Sequence, residues 1–598
     1  MTSSSAQPHS FLPSSRSWLL LLVVAAGLFF IGLGRLPLLE PDEGRNAEVA
    51  REMLKTHDWI TPHYDGLPYL DKPAFFFWMV AGSFRCFGLS EWAARLPSAL
   101  LALGTALLAG LMGKKMFGAR AGIRAGIILA ASPLVFAFAR LVIFDMPLTF
   151  LVSLALFFFW LGSRQSERGL GIDVAAFASM GIATLIKGPV GFLLPLITLA
   201  VYHALSRQFR KLRRVHWAAG WGVFLVITLP WFIEVCLHNP GFARYALWRE
   251  SLLRFATGGH LHRTQGPFYY IPIYFGGFFP WSFFLLCIAW GRLKQWRALG
   301  EGAHRSELFL LSWAGVVFVF FTISHSKLPG YFLPAMVPLS LLVAAAWKDA
   351  DAHRGAGAPD WLTAGCAIMI LIGILMAGAA HFLHFHGIEH QLARKLPLSV
   401  SGLIKPTLLL GGIIIAALGF LGRNLAVRSR RPALRSLVFV VIALTIPLLA
   451  LRGRGVFRSY FSAFSSRQLA QTLLASPQRD FPVYGFYYFR TGLPFYLRRP
   501  VGLVTADGDE LTSNYIVDNF KRLREAGPRL ASPARPGNIA EASRPLLVSG
   551  KELRQMARNS SFLLMVQNHE VYLALRMAGS MRPLWESWKY SVWEKKTQ

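Results

Sequence analysis

Two short segments place carboxylates near a proline, next to long apolar runs. EPDEGRN at 40–46 carries Asp42 and Glu43, and ARLVIFDMPL at 139–148 carries Asp145 together with Arg140. A carboxylate at a helix N-terminus stays ionised and can take a proton from an attacking hydroxyl group. The same position also suits a simple helix cap. The pattern therefore indicates candidate acids for proton transfer at a membrane surface, with capping as the alternative.

Fixed cations occur in three further motifs that border apolar runs. They are Lys72 in YLDKPAFFFW, Lys187 in LIKGPVG and Lys327 in SHSKLPGYFLP. Each lysine could simply anchor a helix end to lipid headgroups. A lysine about 4 Å from a phosphate, however, is worth roughly 4 kcal/mol at an effective dielectric constant of 20. Several such cations on one side of the membrane, with Arg140 beside them, could hold a lipid phosphate and stabilise it as a leaving group.

The elements that must position these residues are membrane helices. The chain has 598 residues, 54% of them hydrophobic and only 16% charged, with a mean hydropathy of +0.43. Because a bilayer core needs roughly 20 apolar residues per helix, these values predict a polytopic α-helical membrane protein. About thirteen apolar runs qualify as spans, starting near residues 17, 92, 125, 147, 172, 190, 217, 267, 307, 331, 361, 403 and 436.

The net charge of +31 does not indicate nucleic-acid binding, because the basic residues are distributed by membrane side and form no single patch. Basic clusters such as RQFRKLRR at 207–214 fall in loops that alternate along the chain. The positive-inside rule then predicts a cytoplasmic N-terminus and, after thirteen spans, a periplasmic C-terminus. The first outer loop, 35–91, is long and contains Asp42, Glu43 and Lys72.

The chain divides into two predicted domains. Residues 1–451 form the transmembrane domain, and within its first outer loop residues 42–55 show the spacing of an amphipathic helix lying on the membrane surface. From residue 452 to 598 short β-type segments such as FPVYGFYYF and RPLLVSG alternate with polar turns. We expect a soluble α/β domain there, outside the membrane.

The motifs taken together resemble a known family. The segment from EPDEGRN to DKPAFFFW, then RLPSAL at 95–100, FDMPL, KGP and SKLPGYFLPA are similar to bacterial type C glycosyltransferases (GT-C fold) of the aminoarabinose-transferase and protein-mannosyltransferase kind. The resemblance covers roughly residues 15–350. It implies an inner-membrane enzyme that takes a sugar from a polyprenyl (undecaprenyl) phosphate carrier at the periplasmic face and transfers it, with inversion, to a lipid A-type, protein or glycan acceptor.

The resemblance also implies roles for individual residues. Asp42 would be the principal catalytic carboxylate, with Glu43 beside it and Asp145 as the second acid, while Lys72 and Tyr331 match positions that contact the lipid phosphate. In the aminoarabinose branch a glutamate before that lysine and a later histidine bind a metal. Here Asp71 replaces the glutamate, and His260 or His262 in GGHLHRTQGPFYY could be the histidine, so a divalent cation is a candidate cofactor. Gly330 stands where a threonine is common.

Two other functions use the same residues. A transporter or flippase for lipid-linked sugars would use the acids and lysines as a headgroup pathway, but transporters usually show paired repeats, and none is evident. A receptor or assembly scaffold would use the outer domain to bind a partner, although thirteen spans exceed what anchoring requires. The acceptor stays open: if it is already an anion, Asp42 need not act as a base and would orient the substrates instead.

Overall fold

A computed structural model describes residues 15–165, 167–253, 265–292, 305–352, 360–385, 396–428, 432–526 and 545–596. The first two thirds of the chain are almost entirely helical. The helices of this part are α1 Ser15–Phe30, α2 Asp42–Thr56, α3 Phe75–Phe87, α4 Glu91–Phe117, α5 Ala119–Ala130, α6 Pro133–Phe138, α7 Asp145–Arg164, α8 Leu170–Lys187, α9 Val190–Leu205, α10 Trp217–His238, α11 Phe242–Arg244, α12 Tyr270–Gly277, α13 Trp281–Arg292, α14 Arg305–Ile323, α15 Leu333–Ala352, α16 Asp360–Phe385, α17 Leu398–Val427, α18 Pro432–Ala443, α19 Thr445–Arg452 and α20 Arg454–Ala463.

The protein is a multi-pass membrane protein, as its composition predicts. Within the described ranges, nine helices are long and apolar enough to cross a bilayer, or ten if α12 and α13, bent by 106° at their junction, form one span. The predicted runs near 17, 125 and 190 coincide with α1, α5 and α9, which are shorter than eighteen residues. The count of thirteen spans is therefore not confirmed, although the predicted helical character of the runs is.

The C-terminal part is a small α/β unit. Its six-stranded sheet has the order β5-β4-β3-β6-β8-β7, in which β3 to β6 pair in parallel and β7 and β8 form an antiparallel hairpin. A separate two-stranded ribbon, β1–β2, follows α2 in the first outer loop. The strands are β1 His63–Tyr64, β2 Leu67–Pro68, β3 Val483–Phe486, β4 Gly502–Val504, β5 Leu547–Val548, β6 Phe562–Gln567, β7 Arg582–Glu586 and β8 Tyr590–Lys595, and the helices are α21 Arg467–Ala475, α22 Leu493–Leu497, α23 Asn514–Asp518, α24 Phe520–Glu525, α25 Gly550–Asn559 and α26 Val571–Ala578.

The helix α2 joins the two parts. A Cβ added at Gly44 would lie 2.5 Å from the Cα of Gly492, so the two backbones touch at a pair of glycines. Glu40 pairs with Arg490 at 2.8 Å, and the Tyr64 hydroxyl donates to the Thr491 carbonyl at 3.1 Å. The C-terminal domain is thus docked directly on the first outer loop.

This docking corrects one expectation. Residues 42–55 do form a helix, but residues 43–53 are all buried, whereas a helix lying on a membrane surface would keep one face exposed. Most polar side chains of α2 form hydrogen bonds or ion pairs, either with one another, as Arg51 does with Glu48, or with other parts of the chain, as Arg45 does with Thr512 and Glu43 with Arg95. The prediction of a helix at residues 42–55 is therefore correct, and the prediction that this helix lies on the membrane surface is wrong.

Candidate functional site

One cleft collects most of the predicted residues. It lies where the start of α2, the start of α7, the end of α8, the segment before α15 and the C-terminal domain meet. Its lining residues are Asp42, Arg45, Asn46, Tyr69, Asp71, Lys72, Ile143, Phe144, Asp145, Lys187, Leu328, Tyr331 and Thr512. Six residues predicted for the site, which come from five separate segments of the chain, therefore share a single opening.

Asp42 is held in place by an arginine on its own helix. Its side chain is 37% exposed, and its carboxylate lies 2.5 Å from the guanidinium of Arg45. The same guanidinium donates to the carbonyl and the hydroxyl of Thr512, at 2.9 and 2.6 Å, and lies 5.4 Å from the centroid of the Tyr69 ring. The Nε of Arg45 is buried without a hydrogen-bond partner in the described structure. Asp42 is thus an oriented, accessible carboxylate beside an unsatisfied cationic donor.

The second acid forms a compact unit with a lysine and a tyrosine. Asp145 begins α7 and accepts from Lys187 at 2.5 Å, and both side chains are about one-tenth exposed. The ammonium of Lys187 lies 4.2 Å from the centroid of the Tyr331 ring, which is a cation–π contact. Gly188, with a φ of +72°, ends α8 directly after Lys187 and so directs the lysine into the cleft instead of along a further helical turn.

Gly330 explains a departure from the expected pattern. A Cβ at this position would lie 2.5 Å from Phe138 Cε1 and 2.7 Å from the carboxyl carbon of Asp145. Neither neighbour can give way easily, since Asp145 is fixed by Lys187. The glycine is required by the close approach of this segment to the carboxylate, and a threonine would displace Asp145.

The lysine of the first loop has a partner that lies far away in sequence. Lys72 donates to Glu250 at 2.5 Å and to the Asp71 carbonyl at 2.7 Å. The other Glu250 oxygen accepts from the side-chain amide of Asn514 at 3.2 Å. Lys72 is 18% exposed and Glu250 is 12% exposed, so this ion pair is largely shielded from water.

Three cations that line the cleft are therefore each paired with a carboxylate. The pairs are Arg45–Asp42, Lys72–Glu250 and Lys187–Asp145. The three positive charges are balanced in this arrangement, and they converge on one opening. If an anionic ligand entered, its oxygens would replace the carboxylates as the partners of these cations. This is the behaviour expected of a phosphate-binding site.

Three predicted site residues lie elsewhere. Glu43 is 1% exposed and receives two hydrogen bonds from Arg95, both at 2.8 Å, so it is a structural anchor. Arg140 donates to three carbonyl groups near the C-terminal end of α1, those of Leu28, Phe29 and Ile31. Lys327 is buried and donates to the Ser324 carbonyl at 2.5 Å. None of the three lines the cleft, because each is used to close a helix end or a loop.

Comparisons with known proteins show which chains this one resembles. A sequence model of the family described as dolichyl-phosphate-mannose-protein mannosyltransferase matches residues 71–233. The undecaprenyl phosphate-α-4-amino-4-deoxy-L-arabinose arabinosyl transferase of Edwardsiella ictaluri is 33% identical over 333 residues, which are 55% of this chain and 58% of that protein. The protein of the same name from Yersinia enterocolitica is 31% identical over 386 residues, which are 62% of this chain and 68% of that protein.

The chain belongs to the undecaprenyl phosphate-aminoarabinose arabinosyl transferase family. The crystal structure of ArnT from Cupriavidus metallidurans bound to undecaprenyl phosphate matches 98% of both chains with a TM-score of 0.78 and 27% sequence identity. The GT-C fold expected from the sequence is thereby confirmed. The chain spans less than two thirds of the Edwardsiella relative that it matches.

The metal that the aminoarabinose transferase resemblance implies does not fit the residues that the structure describes. One Asp71 oxygen accepts from the Tyr245 hydroxyl at 2.6 Å and the Tyr515 amide at 2.9 Å, and the other accepts from the Asn514 amide at 3.1 Å. His260 and His262 lie outside the described residues. In the described part of the chain, no three His, Cys, Asp or Glu residues are placed to hold a metal ion. Asp71 instead joins the C-terminal domain to the cleft.

Sequence reasoning missed several polar residues in or beside the cleft, among them Arg45, Glu250, Thr512 and Asn514. Arg45 could have been found, because it lies three positions after Asp42 and therefore on the same face of α2. Glu250, Thr512 and Asn514 had no such signal. Glu250 lies between α11 and α12 and is brought to Lys72 by tertiary folding, and Thr512 and Asn514 arrive with the docking of the C-terminal domain.

Proposed function

We propose that the chain transfers 4-amino-4-deoxy-L-arabinose from undecaprenyl phosphate to a lipid A-type acceptor. The observation that carries the proposal is the convergence of Asp42, Asp145, Lys72 and Lys187 on one cleft at the ends of membrane helices. The relatives named above act, by their names, on an undecaprenyl phosphate-linked aminoarabinose.

The transfer is a single displacement at the anomeric carbon of the sugar. An acceptor oxygen forms the new C–O bond, the bond between the sugar and the carrier phosphate breaks, and the bonding electron pair leaves with the phosphate. Attack from the face opposite the leaving group inverts the configuration. If the acceptor is a hydroxyl group, its proton passes to the exposed carboxylate of Asp42; if it is a phosphate oxygen, no proton moves and Asp42 orients the substrates.

The cations stabilise the charge that develops on the departing lipid phosphate. Lys72 is held by Glu250 and Lys187 by Asp145, and Tyr331 lies against Lys187. A phosphate that replaced Glu250 at Lys72 would gain a charge-assisted hydrogen bond in a partly dry site. The unsatisfied Nε of Arg45 offers a further donor beside Asp42.

The proposed location is the periplasmic face of a bacterial inner membrane. Support comes from the basic loops, which the positive-inside rule assigns to the cytoplasm. With the N-terminus in the cytoplasm, the first outer loop and the C-terminal domain would both face the periplasm. Their direct contact supports this topology, because two parts that touch must lie on the same side of the membrane.

The test is reconstitution of the purified chain in liposomes containing lipid A and a labelled donor. With undecaprenyl phosphate-aminoarabinose we expect labelled lipid A and released undecaprenyl phosphate in equal amounts, and with undecaprenyl phosphate-mannose little product. Product from the mannose donor alone would contradict the assignment of the sugar. Movement of intact donor across the bilayer without any product would show a transporter instead.

A further inference from the structure

A second cavity, of about 380 Å³, lies at the junction of the membrane helices and the C-terminal domain. It is bordered by the start of α17, by the bridging helix α20, by the beginning of α21 and by the β7–β8 hairpin. Its size falls within the range of small-ligand sites, about 300–1,000 Å³. None of its lining residues belongs to the cleft around Asp42.

The lining combines aromatic faces with small polar groups. Trp585 and Trp588 come from the hairpin, while Ser459, Ser462 and Gln468 face them from α20 and α21. The Trp588 side chain is 38% exposed although it is large and mostly apolar. Its ring packs on Phe464, with the two ring centroids 5.6 Å apart. Indole rings present an apolar face together with a polar N–H group, and hydroxyl and amide side chains both donate and accept hydrogen bonds. This combination suits a saccharide, which offers apolar C–H faces and a ring of hydroxyl groups.

One charged residue completes the cavity. Arg458 lies on α20, is exposed, and forms no ion pair with any carboxylate in the described part of the chain. A guanidinium group matches the geometry of a phosphate better than an ammonium group does. The cavity therefore favours a saccharide that carries phosphate over a neutral one.

The position of the cavity matches the depth of lipid headgroups. The candidate span Ala433–Arg452 ends immediately before α20, and the candidate span Leu398–Val427 begins beside Pro397 and Ser399 of the cavity wall. A ligand seated there would lie at the membrane surface, so its source is a glycolipid and not a free sugar phosphate.

The cavity wall is connected to the helix that carries Asp42. Tyr590 lines the cavity and stacks against Arg490, whose guanidinium carbon lies 5.0 Å from the ring centroid. Arg490 in turn pairs with Glu40 at 2.8 Å, two residues before Asp42, and Ser466 donates to the same carboxylate. Both members of the ion pair are less than one-tenth exposed, so the connection is shielded from water. A headgroup bound in the cavity is held at a fixed position relative to the start of α2.

We propose that this cavity binds the phosphorylated saccharide headgroup of the acceptor glycolipid while another part of that headgroup reacts in the cleft. The proposal rests on the transferase function proposed above. Arg458 contacts the phosphate, and Trp585 and Trp588 pack on the sugar rings. The cavity thereby selects a phosphorylated glycolipid over other anionic lipids.

The experiment compares the full-length chain with Arg458→Gln and Trp588→Ala in liposomes. We expect the KM for lipid A to rise about tenfold in each variant, while the KM for the donor and kcat at saturating lipid A stay within twofold. The matched controls are Arg454→Gln, one turn away on α20, and Tyr572→Ala, an exposed aromatic on α26; neither residue lines the cavity. Ser462→Trp fills the cavity and should produce the same defect without removing a charge.

Direct binding separates this proposal from the proposed function. Lipid A in detergent micelles is titrated into Asp42→Asn protein with and without the Arg458→Gln change, and phosphatidylglycerol is added as a competitor. If lipid A binds more weakly only to the protein that carries both changes, the result supports lipid A binding in the cavity, even if no transfer is observed. Unchanged KM and unchanged binding would overturn the proposal while leaving the transferase intact. Equal competition by phosphatidylglycerol would also overturn it, because it would show a general contact with anionic lipid.

Discussion

The sharpest prediction concerns Glu250, because its carboxylate pairs with Lys72, the lysine that we expect to bind the donor phosphate. Its carboxylate lies 2.5 Å from Lys72, and Asn514 holds its other oxygen. Two unit charges about 4 Å apart attract by roughly 4 kcal/mol at an effective dielectric constant of 20. Desolvation and hydrogen bonds offset most of this, but a phosphate must still displace the carboxylate. Replacing Glu250 by Gln keeps the side-chain shape and removes the competing charge.

We expect Glu250→Gln to tighten undecaprenyl phosphate binding by about 1.4 kcal/mol, which is a tenfold lower Kd. The assay is a titration of undecaprenyl phosphate into detergent-solubilised protein at two salt concentrations. Glu234→Gln is the matched control, since Glu234 is half-exposed on α10 and outside the cleft. The reasoning is refuted if Glu250→Gln leaves the Kd unchanged or raises it, because Glu250 would then not compete with the phosphate.

Three further predictions follow from the packing around the cleft. Glu43→Gln should lower the free energy of unfolding by about 3–5 kcal/mol, because it leaves the buried charge of Arg95 without a carboxylate partner. A thermal melt would show a lower melting temperature, which the loss of a purely catalytic glutamate would not cause. Gly330→Ala should reduce kcat by more than tenfold and also lower the melting temperature, since the added methyl group meets Phe138 and the carboxyl group of Asp145; full activity would contradict this. Burial, reinforced by the nearby charge of Glu48, raises the pKa of Glu52 from 4.5 to about 8. Because the folded protein then binds the proton more tightly than the unfolded chain, Glu52 adds to the free energy of unfolding at low pH, and this stabilisation is lost as the pH rises from 4.5 through 8. Melting temperatures should therefore fall less steeply over this interval in Glu52→Gln than in the natural chain, and identical slopes would exclude Glu52 as the source.

The sequence predicted the membrane helices and much of the cleft for one physical reason. Apolar runs locate the helices, and the side chains at their outer ends must lie in a thin layer at the membrane surface. Asp42, Asp145, Lys72 and Lys187 all belong to that layer, so their convergence could be expected, and the structure brings them together. Their roles in the reaction stay predictions until they are tested.

Other features could not be predicted because they depend on tertiary contacts. Successive residues of a helix point about 100° apart, so the sequence alone could not tell that Asp42 faces the cleft while Glu43 faces Arg95. The burial of α2 and the placement of Thr512 and Asn514 follow from the docking of a domain more than 400 residues away in the chain. No local pattern encodes that docking.

The measurement that tests the central claim most directly is single-turnover transfer by the natural chain, Asp42→Asn and Asp507→Asn at equal protein concentrations. Asp507 lies exposed in a turn of the C-terminal domain and serves as the matched control for the loss of one carboxylate. The account predicts that Asp42→Asn still binds the labelled undecaprenyl phosphate donor but neither transfers its sugar nor releases the carrier, while Asp507→Asn behaves like the natural chain. Transfer by Asp42→Asn at the natural rate would contradict the assignment of the reaction to this cleft.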